Sequence, residues 1–193
     1  MRPPNWFSLT GFRMTDAELA AHLAEYAGKI LLEVRASGMF EGKALGNAGD
    51  ETANQFLCHA LRHQRPDDGL LSEESKDTSE RLSKQRVWIV DPVDGTREYG
   101  EERSDWAVHV ALCVNGRPEV GAVALPGLGK VLSTGKPGEL PEMPAKPRMV
   151  VSRTRPAAEA VAVANAIGAE LVQMGSAGAK AMAVVRGEAE LLT

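Results

Sequence analysis

Leu19, Leu23, Tyr26, Ile30, Leu31 and Val34 recur at helical spacing behind Thr15-Asp16-Ala17-Glu18. Apolar residues with that period line one face of a helix, and Thr15 with Glu18 has the spacing of a capping box, so a helix is predicted from there to about Ala36. A glycine-bearing loop is expected next. A second helix is read as starting near Gly49-Asp50, carrying Phe56, Leu57, Ala60 and Leu61, and stopping before Pro66, whose ring forbids continuation. That start would place Asp50 at a helix N-terminus.

The period then changes from helix to strand. Gly69-Leu70-Leu71-Ser72 reads as a short buried strand delivering Glu73-Glu74, and Val87 to Val90 as a second one delivering Asp91. From Trp106 to Val114 large side chains fall on alternate positions, as in a strand with one packed face. Asn115-Gly116 is a hairpin turn into Glu119 to Leu125, and Gly127-Leu128-Gly129 turns into Lys130-Val131-Leu132, which predicts an antiparallel meander. The stretch from Gly135 to Pro147 contains four prolines and reads as a connector. Beyond it, strand Met149 to Ser152, helix Ala157 to Ile167, strand Glu170 to Gln173, helix Ala177 to Val185 and strand Ala189 to Leu192 alternate as in an α/β unit. The expected organisation is an extension over 1–14, an α+β domain over 15–135, a connector over 136–147 and a partial α/β domain over 148–193.

Composition narrows the partners. A chain of 193 residues with 44% hydrophobic content can bury a real core, in one large domain or two small ones. A formal charge of -4 without a compensating run of Lys and Arg argues against nucleic acid. An anionic small substrate would then need metal ions or a local donor cluster to hold it. Cys58 and Cys113 lie far apart without CxxC spacing, which suggests reduced, buried thiols in a cytosolic protein. The N-terminus Met1-Arg2-Pro3-Pro4-Asn5-Trp6 has no apolar run behind its charge, and no later stretch is long enough to span a bilayer. A cytoplasmic protein is expected.

The chemistry concentrates in Asp91-Pro92-Val93-Asp94-Gly95-Thr96, entered from Arg86-Val87-Trp88-Ile89-Val90. Carboxylates at the mouth of a buried strand are costly unless a cation neutralises them, so the run reads as a set of hard oxygen ligands for a divalent metal. Gly95 and Thr96 offer backbone N–H groups to a phosphate. Asp-Pro and Asp-Gly are also ordinary turn dipeptides. The conjunction with Glu73-Glu74 and Asp50 exceeds what turns need. His59 and His63, four apart, could share a metal but lack a third ligand, so they read as surface or packing residues, and Trp88 and Trp106 read as core.

With Glu73-Glu74, Asp91 to Thr96 and Gly175-Ser176-Ala177-Gly178 in this order, residues 15 to 193 resemble the inositol monophosphatase-like phosphatases. Thr96-Arg97-Glu98-Tyr99 and Gly175-Ser176-Ala177-Gly178-Ala179-Lys180 are most similar to the 3'(2'),5'-bisphosphate nucleotidases of the CysQ type in actinobacteria. The resemblance implies a layered αβαβα sandwich, here with an incomplete second α/β half. It also implies Mg²⁺-dependent hydrolysis of a small phosphorylated nucleotide or sugar, lithium sensitivity, a role in sulfur assimilation and a homodimer. On the family pattern Glu73, Asp91 and the Val93 carbonyl match the first metal site, and Asp91 and Asp94 the second. Thr96, with Glu73-Glu74 or Asp50, matches the group that activates water. Gly95 and Thr96 match the phosphate cradle, and Gly175 and Ser176 a substrate-contacting turn. Ser176 equally reads as a plain helix cap, and Lys180 as a solvated lysine.

Two departures stand out. Leu45-Gly46-Asn47-Ala48-Gly49-Asp50 carries Asn47 where the family pattern has threonine. No Trp-Asp motif follows Leu192, and Ser104-Asp105-Trp106 has the wrong order and place, so the second metal site is expected to lack one aspartate and the chain to be a truncation. The leading expectation is hydrolysis of the 3'-phosphate of adenosine 3',5'-bisphosphate, or of its sulfated relative. An inositol or fructose phosphate substrate, and an inactive binding domain, are the alternatives.

Overall fold

The computed structural model describes residues 14–139 and 141–193. All but Met14 of the expected N-terminal extension, and Leu140 of the connector, lie outside the described residues.

Helix α1 (Asp16–Ala36) opens with the expected capping box, in which the Thr15 hydroxyl accepts from the Glu18 N–H and the Glu18 carboxylate accepts from the Thr15 N–H. Its buried stripe is Leu19, Ala20, Leu23, Ala24, Ala27, Gly28 and Leu31. Tyr26, read as part of that stripe, is exposed and lies against His22 and Lys29 instead. Small residues replace it on the inner face because the sheet comes close. A Cβ on Gly28 would sit 2.6 Å from Pro126.

Helix α2 runs over Gly42–Gln64, so it starts seven residues before the expected Gly49 and places Asp50 in the helix interior, not at its N-terminus. The reason lies in its glycines. A Cβ on Gly46 would meet the Thr96 methyl at 2.9 Å, and one on Gly49 would overlap the Tyr99 ring. These residues are a contact surface for a neighbouring helix, although in a sequence they read as loop punctuation. Glu41 caps the helix without a side-chain hydrogen bond, which removes the usual start signal.

The first sheet has the order β1-β2-β3-β4-β5, formed by Gly69–Ser72, Arg86–Asp94, Ala107–Val114, Arg117–Leu125 and Lys130–Ser133. β1 and β2 are parallel and the rest is the expected antiparallel meander. Asn115 and Gly116 both take positive φ, 51° and 76°, as a two-residue hairpin turn requires. β2 continues past its expected end at Val90. Asp91 pairs with His109 and Asp94 with Ala107, so one extra residue bulges out of β2 between them. Pro92, which cannot donate to a ladder, falls in that bulge. A short helix α3 (Thr96–Gly100) follows.

The second sheet is β7-β6-β8, from Glu170–Met174, Arg148–Ser152 and Leu191–Leu192, all parallel, with helices α4 (Ala158–Ile167) and α5 (Ala177–Val185) as crossovers. α1 and α2 cover one face of the first sheet around Trp88, Val90, Val108, Val110 and Leu112. α5 covers its other face through Ala179, against Ala107 and Leu125, and faces the second sheet through Ala183, against Val150 and Ala189. α4 packs on the far side against Met149 and Val151. The layers read α, β, α, β, α.

Candidate active site

The acidic residues gather where β1 and β2 end. Glu73-Glu74 leave β1 on a turn tied to α2 by Asn54. The buried Asn54 amide oxygen accepts from the Ser72 hydroxyl at 2.7 Å and from the Cys58 thiol at 3.2 Å, and its nitrogen donates to Ser75 at 3.1 Å. The Glu73 N–H donates to the Val90 carbonyl at 3.3 Å, which sets Glu73 beside the strand carrying Asp91.

Burial pushes the Asp91 carboxyl up to about 7, and the negative Glu73 and Asp94 push the same way, with a hydrogen bond to Glu73 adding to it; the His109 ring opposes them. The negative charge around Asp91 is thus not offset by the protein alone. A divalent cation bound by hard oxygens is the group that fits there, because it would favour the ionised form of Asp91.

Asp94 is held by a different arrangement. Its Oδ2 accepts from the Ser176 hydroxyl at 2.7 Å, from the Gly178 N–H at 2.5 Å and from His109 Nε2 at 3.0 Å; its Oδ1 accepts from the Ala177 N–H at 3.3 Å. Burial raises this carboxyl, but the bonds from His109, Ser176 and Gly178 outweigh it and hold the group below the ordinary carboxylate range. The first turn of α5 supplies three of these four donors, an arrangement that suits an anion at a helix start. Gly178 has to be glycine here, since a Cβ would overlap the His109 ring and sit 2.8 Å from Asp94 Oδ2. Asp91, Asp94 and His109 each offer a ligand atom, all within 4.8 Å of one another.

Gly95 takes φ of 91°, in the left-handed region that glycine tolerates, and turns the chain from β2 into α3. Thr96 then donates to the Val93 carbonyl at 3.0 Å and lies within hydrogen-bonding reach of Asp50 on α2. Burial pushes Asp50 up to about 6, the Thr96 hydrogen bond pulls it down, and the charges of Glu74 and Glu73 add to the rise. Gly46 and Gly49 let α2 approach α3 closely enough for this contact.

The sequence-predicted residues Asp50, Glu73, Asp91, Val93, Asp94, Gly95 and Thr96 therefore surround one region, with the Gly175-Ser176 turn alongside. Ser176 caps α5 by accepting from the Ala179 N–H at 2.9 Å, and its buried hydroxyl is committed to Asp94. Gly175 donates to Asp105 at 2.8 Å. Lys180 is turned away, donating to the Thr193 carbonyl at 3.2 Å. His59 and His63 are exposed on α2, and Trp88 and Trp106 are buried in the core, as their patterns suggested. His109 and Asn54 escaped sequence reading. His109 occupies a strand position two removed from apolar Ala107 and Ala111 on the same face, and that break in the pattern was its one signal.

The scaffold has five layers, αβαβα, with carboxylates converging on one region from two strand ends and a helix. Residues 15–193 match the inositol monophosphatase family, and the chain belongs to it. A Mycobacterium leprae protein named 3'-phosphoadenosine 5'-phosphate phosphatase is 45% identical over 92% of this chain and 71% of its own length. A Mycobacterium bovis protein of the same name is 49% identical over 83% of this chain and 64% of its own length. The chain thus spans roughly two thirds of these relatives. Among solved structures, CysQ from Bacteroides thetaiotaomicron matches with TM-score 0.74 at 23% identity, over 89% of this chain and 76% of that one. Mycobacterium tuberculosis SuhB matches with TM-score 0.72 at 21% identity, over 91% and 75%. At these identities the structural likeness speaks to the fold.

Proposed function

We propose that the chain is a Mg²⁺-dependent phosphomonoesterase that removes the 3'-phosphate of adenosine 3',5'-bisphosphate, and of its sulfated relative, to leave a 5'-nucleotide and phosphate. The observation that carries the chemistry is the convergence of Asp91 and Asp94, which offer ligand atoms within 4.8 Å of each other, with the Asp91 carboxyl pushed up to about 7 by burial and by Glu73 and Asp94. The nucleotide is supported by the two mycobacterial relatives, both named for acting on 3'-phosphoadenosine 5'-phosphate.

Glu73, Asp91 and the Val93 carbonyl would hold one Mg²⁺, and Asp91 with Asp94 a second. Bound there, the ions would supply positive charge for the substrate's phosphoryl oxygens and acidify a water molecule. Thr96 orients that water and Asp50 accepts its proton, a role suited to a carboxyl pushed up to about 6. The water oxygen forms a bond to phosphorus as the bond from phosphorus to the ribose 3'-oxygen breaks. The departing oxygen takes a proton from solvent. The N–H groups of Gly95 and Thr96, at the turn into α3, face the transferring phosphoryl group in this reading. A cytoplasmic setting and a homodimer belong to it too; unpaired Cys58 and Cys113 support the first, and sedimentation would measure the second.

The test is phosphate release by the purified chain from adenosine 3',5'-bisphosphate, inositol 1-phosphate and fructose 1,6-bisphosphate, with Mg²⁺ and with EDTA. Mg²⁺-dependent release favouring the nucleotide is expected. Preference for a sugar phosphate would overturn the substrate, and Mg²⁺ binding without release from any of them would leave a binding domain.

A further inference from the structure

Asp94 follows a bulge, pairs with Ala107 at the end of β2 and precedes the left-handed Gly95, and its carboxylate is oriented by what donates to it. Three donors, Ser176, Ala177 and Gly178, come from α5, an element of the second half of the chain. His109 is the one that shares the first sheet with Asp91, and it stands directly opposite Asp91 in the β2 and β3 register. Oδ2 carries the His109, Ser176 and Gly178 bonds, whereas Oδ1 carries only the longer Ala177 bond. Three donors fill the lone pairs of Oδ2 and leave Oδ1 as the oxygen able to take a cation.

We propose that His109 is a positioning residue: its Nε2–H holds Asp94 Oδ2 so that Oδ1 is presented to the cation shared with Asp91. This rests on the metal-dependent reading above. With Nε2 committed to Asp94, the ring acts through the carboxylate and not as a ligand. Hydrogen-bonded partners that orient metal-binding carboxylates are worth about 10- to 100-fold in metal affinity, and a residue of the same strand pair is well placed to supply one.

The experiment compares His109→Gln, His109→Asn and His109→Leu by Mg²⁺ titration calorimetry, with thermal unfolding in EDTA as the check on folding. Glutamine places an amide N–H about as far from the backbone as imidazole Nε2, whereas asparagine keeps the amide but withdraws it from Asp94. His109→Asn and His109→Leu are expected to weaken Mg²⁺ binding by about 10-fold or more, and His109→Gln to recover most of the loss. If His109→Leu does not fold, the Gln and Asn pair, matched in polarity, carries the comparison alone. Equal Mg²⁺ affinity in Gln and Asn variants, or wild-type affinity in Asn, would overturn the role of His109. Because binding is read without turnover, a chain whose Mg²⁺ affinity depends on His109 in this way yet releases no phosphate would overturn the nucleotidase reading and leave this inference standing.

Discussion

Asp50 and Asp91 are both carboxyls lifted out of their ordinary range, but for different uses. Asp50 touches Thr96 and stands outside the proposed ligand set, so Asp50→Asn should lower kcat by about 10²- to 10⁴-fold, the usual worth of a proton acceptor, with Mg²⁺ affinity little changed. A variant that retains turnover would remove Asp50 from the mechanism. Asp91 sets the pH behaviour of the metal-free chain. A carboxyl whose folded value lies above its unfolded one binds a proton more tightly when folded, so its stabilising effect is complete at low pH and fades as pH rises through the folded value. For Asp50 and Asp91 those values are about 6 and about 7. His109, raised despite burial by Asp94, Asp91 and Glu73, acts in the same direction, while Asp94, lowered by His109, Ser176 and Gly178 against its burial, loses its contribution only in acid. Melting temperature in EDTA should therefore fall from about pH 5 to about pH 8, and Mg²⁺ should flatten the profile by replacing protons. A flat curve without metal would show that the carboxylates are not crowded as described.

At the scale of elements, α2 decides whether Asp50 reaches Thr96, and it does so through glycines. Gly49→Ala gains helix propensity of about 1 kcal/mol, yet its Cβ would overlap the Tyr99 ring, which is fully buried, and overpacking of that kind costs about 1–3 kcal/mol. The collision should win. Chemical denaturation is expected to show net loss of stability, with kcat lowered as α2 moves from α3; a stabilised variant would show that the two helices have room. The same glycines explain what the sequence concealed. β1 to β5 and the alternating second half were legible because period-2 patterns and turn dipeptides are local signals, and the capping box at Thr15 likewise. The start of α2 was not, because Gly46 and Gly49 answer to α3, a tertiary contact that no window of sequence contains. Asp91 and Asp94 advertised themselves by interrupting an apolar strand. His109 and Asn54 were less legible, since the contacts that tie them to the site lie 15 or more residues away, with Asp94 for one and with Ser72 and Ser75 for the other.

For the whole molecule, α5 is the shared layer. Its first turn grips Asp94, Ala179 packs on the first sheet and Ala183 on the second, so the distance between the sheets and the grip on the carboxylate are set by one helix. Both contacts are alanines because little space remains between the layers, and Ala183 is fully buried. Ala183→Leu would force three further carbon atoms into that gap, at a cost of about 1–3 kcal/mol. Among the described residues the second sheet has three strands against five in the first, so the helix should shift toward or along the first sheet and draw Ser176 and Gly178 away from Asp94. A lower melting temperature is expected together with weaker Mg²⁺ binding, though residue 183 lies more than one helical turn from Gly178, the nearest donor. Val163→Leu, on the exposed face of α4, is the control and should change neither. Loss of stability with full Mg²⁺ affinity in Ala183→Leu would separate the two roles of α5 and leave the second sheet as a support without influence on the site.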